Sequence, residues 1–187
     1  MPPQSKYNVL ITSYLEPEHI ARIRAVDPER LDVIFEPDLI GSPRYPGDHY
    51  ADPERTPEEE ARWQQLLSEA DILFDFDYTH RQDLPELAAD VCWVQSTSAG
   101  IGQYVRRYGY DTGWPGTTFT TASGVHARPL AEYVLMVMMA HYKGLLQILD
   151  QQEARSWQRL SGTDLEGRTI TIVGLGRIGS KVATLAR

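Results

Sequence analysis

Short runs of β-branched and apolar residues recur between Tyr7 and Thr121, and stretches of helical period separate them. The runs Tyr7–Thr12, Leu31–Phe35, Ile72–Phe76, Val91–Gln95 and Thr117–Thr121 predict strands. Between them the spacing predicts a Pro17-led helix to about Val26, a helix from Thr56 to Ala70, and shorter helices near Pro85–Ala89 and Gly100–Arg107. The Thr56 helix carries its own start signal, a capping box. In Thr56-Pro57-Glu58-Glu59 the hydroxyl can accept from the Glu59 amide, the glutamate can reach back, and proline fills a position whose amide needs no partner. Unbroken β-α alternation calls for parallel strands with helices on both faces. The expected fold is therefore α/β, a flavodoxin-like, doubly wound parallel sheet domain.

Two stretches break this rhythm. Residues 37–55, with Pro37, Pro43, Pro46 and Pro53 among glycines and aromatics, show no period and read as one long irregular loop, a kind that is often functional. His126–Leu149 reads as one long helix, apolar nearly all round in its central turns, which should be enclosed by protein on several sides. It follows the fifth strand and precedes a new βα unit, so it is expected to be an interdomain helix. The polar segment 150–164 offers only Trp157 as an anchor.

Composition excludes more than it identifies. A chain of 187 residues with 42% hydrophobic and 24% charged residues is globular in type, and a net charge of -8 without a basic cluster argues against a nucleic-acid partner. The longest apolar run, Tyr133–Ala140, falls well short of the ~20 residues a membrane span needs. Cys92, in Val91-Cys92-Trp93-Val94, is expected to be a buried, inert thiol. The polar N-terminus lacks the apolar core of a secretory signal, which makes the cytoplasm the expected compartment.

The sharpest chemical signal comes last. Thr169–Val173 reads as a strand that runs into Gly174-Leu175-Gly176-Arg177-Ile178-Gly179 and then a helix through Arg187. In a strand–loop–helix context the first glycine permits a tight turn, the second lets backbone approach a pyrophosphate, and the third lets helix and strand pack closely. Helix N-terminal amides face the anion. Gly174, Leu175, Gly176, Arg177, Ile178 and Gly179 are thus the candidate cofactor-binding residues, for NAD or NADP. The acidic residue that grips the ribose belongs ~20 residues further on, beyond Arg187, so the two cofactors are not distinguished.

Three stretches together resemble the D-isomer-specific 2-hydroxyacid dehydrogenase family: Trp93–Ile101 with its Ser98-Ala99-Gly100 turn, Thr121–Tyr133, and Leu165-Glu166-Gly167-Arg168 leading into the glycine loop. The resemblance implies a substrate domain over 1–123, then the interdomain helix and the first βα unit of a truncated Rossmann domain over 124–187. It implies that Ser98, Ala99 and Gly100 bind a substrate carboxylate through backbone amides. It also implies a second substrate-contacting segment at Phe76-Asp77, although an isolated Ser-Ala-Gly reads first as a plain strand-to-helix turn and the Phe76-Asp77 loop reads equally as a plain connection. His126 and Glu132 are expected at the start of the long helix in structural roles. His19, His49, His80 and His141 show no partner at a meaningful spacing and are given no chemistry, and no metal ligands are expected.

The activity implied is hydride transfer between NAD(P)H and a small 2-oxo or 2-hydroxy acid, with formate oxidation also within the wider family. The arginine, histidine and glutamate that carry it in the family lie in the second half of the dinucleotide domain, and no catalytic residue is assigned in this sequence. A lone strand and short helix are too small to be stable unaided. Ile170, Ile172, Val173, Ile178, Val182 and Leu185 would be left bare, so a covering partner is expected, either a second copy in a homodimer through the 126–149 region or the chain's own first domain. The expectation is a fragment inactive on its own. Competing readings are a naturally short binding or regulatory subunit that pairs with a full-length relative, and a flavodoxin-like domain of unknown ligand.

Overall fold

The computed structural model describes residues 6–45, 47, 48 and 50–187. His49, Pro46 and the first residues of the N-terminus considered above, 1–5, lie outside them. Internal contacts divide the chain into two units, Met1–Ala122 and Ser123–Arg187.

In the first unit the β-branched runs form β1 (Tyr7–Ile11), β2 (Leu31–Ile34), β3 (Ile72–Phe74), β4 (Trp93–Gln95) and β5 (Thr118–Thr120), all parallel, in the order β2-β1-β3-β4-β5. This is the flavodoxin-like order. The connection out of β1 passes to one side and the return into β3 to the other, so the carboxyl ends of β1 and β3 flank the topological switch point. Val9 pairs with Val33 on one side and Ile72 on the other, which fixes the register at the centre of the sheet.

Period-two alternation sorts the side chains onto two faces. Leu10, Leu73 and Val94 point into the larger core, with Trp63, Leu66 and Leu67 of α3 (Pro57–Ser68), Leu84 of α4 (Leu84–Leu87), Val105 of α5 (Gly102–Arg107) and Tyr110 of α6 (Tyr110–Gly113). Val9, Ile11 and Val33 face the other way, against Leu15 and against Ile20 of α1 (Pro17–Arg24). That second layer covers β2, β1 and β3 only. Over β4 and β5 the same face carries exposed Trp93, whose Nε1 donates to Thr120 Oγ1 at 2.7 Å, so cover on both faces is incomplete within this unit.

Several expectations need correction. The 37–55 stretch is not irregular throughout: Pro37 opens a helical turn, α2 (Pro37–Ile40), that buries Leu39 and Ile40. Gly41, at φ +88°, then turns the chain so closely past Ala51 and Pro53 that a Cβ there would lie 3.3 Å from both side chains. The buried Asp48 carboxylate ties Arg44 and Tyr50 together. It accepts from Arg44 Nε at 2.7 Å, Arg44 Nη2 at 3.0 Å and the amides of Arg44 and Tyr50. These bonds hold its pKa far below the usual carboxylate range. No periodic pattern announces such a loop, because side chain–backbone bonds build it. Cys92 is exposed rather than buried, its Sγ donating to Asp71 O at 3.3 Å. It lies just before β4, at the amino ends of the strands.

In the second unit the long helix is two. α7 (Ala127–Tyr142) and α8 (Leu145–Glu153) are separated by Gly144 in the left-handed region at φ +67°. The segment that follows α8 folds back onto this break. The Leu160 side chain occupies the place a Cβ at Gly144 would need, and Thr163 N donates to Tyr142 O at 2.8 Å. The helices are not enclosed: Leu130, Tyr133, Met136, Val137, Leu146 and Leu149 are exposed, and Ala131 alone is buried in α7. Nor is Trp157 an anchor, since it stands 86% exposed. Thr169–Val173 forms no ladder, because the described residues give it no neighbouring strand. α9 (Arg177–Leu185) packs on α7 and buries Val182, which was expected to be bare, while Val173, Ile178 and Leu185 are exposed as expected. His126 is the N-cap residue of α7 but makes no side-chain cap, and Glu132 pairs with Arg128 at 2.7 Å. No helix among the described residues is long and apolar enough to cross a membrane.

The capping box at α3 forms in both directions, with Thr56 N donating to Glu59 Oε2 at 2.8 Å and Glu59 N to Thr56 Oγ1 at 3.3 Å. Thr56→Ala should therefore lower stability by about 1 kcal/mol. In urea unfolding followed by circular dichroism, the midpoint should fall with the slope unchanged.

Candidate functional site

Strand β3 ends two residues earlier than the expected Ile72–Phe76 run because Asp75 turns into the left-handed region, at φ +74°. Aspartate tolerates that conformation better than the branched residues before it. Its amide still reaches Gln95 O at 2.8 Å, so the chain leaves the ladder only after this bond. The Asp75 side chain is wholly buried, and its carboxylate accepts from Thr97 Oγ1 at 2.6 Å and from Ser96 Oγ and Tyr78 OH at 3.3 Å. Ser96 Oγ in turn accepts from the Ser98 amide at 3.0 Å, and Ser98 O accepts from Ala122 N at 3.1 Å.

The Ser98-Ala99-Gly100 turn is thus held from below by Asp75 through Ser96. Ser98 spends its own amide on that support. Ala99 and Gly100 are exposed, and among the described residues their amides meet no protein acceptor. Two open N–H groups on a fixed turn at the carboxyl end of a parallel strand can receive an anion.

The Phe76-Asp77 segment differs from expectation. Phe76 is 1% exposed and is a core side chain, its ring 4.9 Å from Tyr104 and stacked at 6.1 Å on Phe119. Asp77 is 2% exposed, and its carboxylate is fully engaged: it accepts from Trp63 Nε1 at 3.0 Å, Thr79 Oγ1 at 2.7 Å, Thr79 N at 2.9 Å and His80 Nδ1 at 2.7 Å. Neither side chain is free to touch a ligand. Burial alone would raise the Asp77 pKa, but the bonds from His80, Thr79 and Trp63 outweigh it and hold the group below the usual value.

His80, given no chemistry from the sequence, has two partners. Besides Asp77, its Nε2 lies 2.8 Å from Glu60 Oε1 on α3. The bond to Asp77 raises the imidazole pKa against the opposing effect of burial, and Glu60 and Asp83 add to the rise. The Asp77–His80 spacing after a strand was the only local hint of this pair; Glu60 lies on another element and leaves no trace in the spacing. Glu60 also accepts from Arg55 Nη1 at 3.2 Å, and Arg55 donates to Leu39 O at 2.7 Å with its guanidinium 4.6 Å from the Trp63 ring centroid. Beside this network opens a cleft of about 640 Å³ whose walls include Tyr50, Arg55, Tyr78, His80, Arg81 and Tyr108.

In the second unit, the three glycines of the 174–179 loop occupy distinct environments. Gly174 takes φ +97°, a turn closed to most side chains. Around Gly176 nothing lies within 4 Å of where a Cβ would be, so its backbone is open to an approaching group. At Gly179 a Cβ would collide with Gly174 O and lie 3.1 Å from Ile172 Cγ2, so only glycine lets α9 sit this close to the preceding strand-like segment. Gly176 is the N-cap of α9, and Ser180 Oγ braces the loop by donating to Leu175 O at 3.0 Å. Arg177 lies across Gly124, where a Cβ would come within 2.7 Å of its guanidinium.

Residues 135–187 match the family model described as D-isomer specific 2-hydroxyacid dehydrogenase, NAD binding domain, which is the family expected from the motifs. No curated protein matches the chain. Among solved structures, a D-isomer specific 2-hydroxyacid dehydrogenase family protein from Aeromonas salmonicida superposes with a TM-score of 0.67 at 23% identity, over 97% of this chain and 50% of that one. An NADPH-dependent glyoxylate/hydroxypyruvate reductase from Sinorhizobium meliloti, in complex with NADP and sulfate, gives 0.64 at 19% over 97% and 49%. D-lactate dehydrogenase from Aquifex aeolicus, complexed with NAD and lactic acid, gives 0.59 at 18% over 96% and 47%. At these identities the likeness is one of fold, and it agrees with the expected α/β architecture. The chain spans about half the length of the structures it matches.

If Asp75 supports the turn as described, Asp75→Asn should keep the left-handed backbone, which asparagine tolerates, while weakening a buried charge-assisted network by about 1–3 kcal/mol. Amide resonances of Ser98, Ala99 and Gly100 should shift while those of α1 stay in place.

Proposed function

We propose that these 187 residues form the substrate-binding unit, and the opening of the dinucleotide-binding unit, of an NAD(P)-dependent 2-hydroxyacid dehydrogenase. The observation that carries the reading is the 174–179 loop: a left-handed Gly174, an open Gly176 and a Gly179 that no other residue could replace without moving α9. This is the cradle a pyrophosphate requires, with helix N-terminal amides behind it. NAD or NADP, as found in the reductase from Sinorhizobium meliloti and the dehydrogenase from Aquifex aeolicus, fits these residues, and would supply the hydride. The backbone of Gly174, Leu175, Gly176, Arg177, Ile178 and Gly179 would hold the cofactor's phosphates. Ala99 and Gly100 would receive the carboxylate of a small 2-oxo or 2-hydroxy acid through their open amides, with Ser98 shaping the turn. From the Phe76-Asp77 segment the substrate would meet only the backbone and the neighbouring residues.

The domain division we propose follows the same line, with the substrate unit to about residue 123 and the cofactor unit after it. We further propose that the exposed apolar side chains of α7 and α8 are covered by a second copy in a homodimer. The 187 residues alone should not turn over substrate.

Adding NAD⁺ should shift the amides of Leu175–Ile178, and Gly176→Val should abolish those shifts while leaving Val182 packed against α7. Glyoxylate should shift Ala99 and Gly100. Absence of both responses at saturating ligand would reject the reading, and measurable oxidation of NADH with glyoxylate or hydroxypyruvate by this chain would reject the inactivity.

A further inference from the structure

Both ring nitrogens of His80 face carboxylates, Nδ1 at 2.7 Å from Asp77 Oδ2 and Nε2 at 2.8 Å from Glu60 Oε1. A neutral imidazole carries one N–H, so it can donate to one of these groups and must turn a lone pair on the other. Only the imidazolium satisfies both. The two carboxylates sit on different elements: Asp77 on the turn after β3, Glu60 on α3. We propose that protonated His80 is a positioning residue, a charged clasp that with the Trp63 Nε1–Asp77 bond pins the 77–80 turn to α3 and so fixes one wall of the cleft, and that loss of its proton loosens the turn, leaving the Trp63 bond to hold it.

The other groups around the ring support this assignment. Asp83, on the same loop, adds negative charge near the ring. Thr79 Oγ1 lies 3.1 Å from Nδ1, donates to Asp77 Oδ1 at 2.7 Å, and accepts from Arg55 Nη1 at 3.1 Å. Thr79 therefore has no hydrogen to give the ring. From α3, Glu60 Oε1 also accepts from Gln64 Nε2 at 2.9 Å, and Glu60 Oε2 accepts from Arg55 Nη1 at 3.2 Å. The Arg55 cation faces the cluster and is spent on Glu60, Thr79 and Leu39 O. Two carboxylates remain for the ring, with a third close by, and the side chain is 14% exposed, so water does little to replace the lost contact when the proton leaves.

The sign follows from the raised pKa. The clasp contributes fully below about 6.5, the ordinary imidazole value, and its contribution is lost as pH rises through the higher value in the folded chain. By linkage, each unit by which the midpoint is raised corresponds to about a tenfold weaker hold on the turn once the proton is gone. The 77–80 turn adjoins the segment assigned to substrate contact, so the relevance of the clasp to substrate rests on the proposed function; the clasp itself does not.

The test is an NMR titration of the 187-residue chain from pH 6 to pH 9, reading the His80 ring and the exchange protection of the Thr79 amide, which donates to Asp77 Oδ1. The expected result is a His80 midpoint above the ordinary value and a loss of Thr79 protection, after correction for intrinsic exchange, with the same midpoint. Glu60→Gln, a mild change at the edge of the network, should move both midpoints down together. His80→Gln should leave Thr79 protection free of any pH step. A His80 midpoint at the ordinary value, or a raised midpoint with Thr79 protection unchanged across it, would overturn the proposal. Neither readout uses cofactor or substrate, so the result is separable from the fate of the dehydrogenase reading.

Discussion

A carboxylate leaves water only where the protein restores the hydrogen bonds it gives up, and at the end of β3 the chain does this twice in three residues. Asp75 and Asp77 flank Phe76 and are both buried, one turned toward β4 and its following loop, the other toward α3 and the loop after β3. Phe76 fills the aromatic core between them. Each aspartate gathers hydroxyls, amides or ring N–H groups from a separate stretch of chain. The two loops at this end of the sheet are thereby tied to one short segment, and the backbone conformations they adopt are consequences of satisfying those carboxylates.

The same economy runs through the parts that could meet ligands. The 98–100 turn offers main-chain amides, and the 174–179 loop offers main-chain amides and open space; neither relies on a charged side chain to receive an anion. Main-chain donors are fixed by the fold and cost little to order, but they need rigid support. Asp75 and Ser96 give that support in the first unit, and Gly179 and Ser180 in the second.

What the sequence disclosed follows from the range of the interactions involved. Period-two and β-α alternation depend on neighbouring residues, so the five strands, their parallel order and the α3 capping box were all legible. The three glycines of the 174–179 loop were legible because their spacing is local. Gly144 was missed as a helix break because its left-handed turn is set by Leu160 and Thr163 folding back from beyond α8. The 37–55 loop hid its order for a similar reason, since Asp48 works through side chain–backbone bonds that carry no hydrophobic rhythm. His80 was passed over because half of its environment, Glu60, comes from an element 20 residues away in the chain. Phe76 and Asp77 were placed in the right loop, yet the sequence could not show that both side chains turn inward.

The exposure of Cys92 bears on how the protein behaves in air. It is the single thiol of these 187 residues, so no bridge can close among them. A disulfide formed by these residues joins two molecules at the amino end of β4 or traps a small thiol there. Such a covalent pair would form at the amino end of β4 in the first unit, away in sequence from the α7 and α8 side chains. A cross-linked species that vanishes on reduction would therefore report on storage rather than on the assembly of the fold.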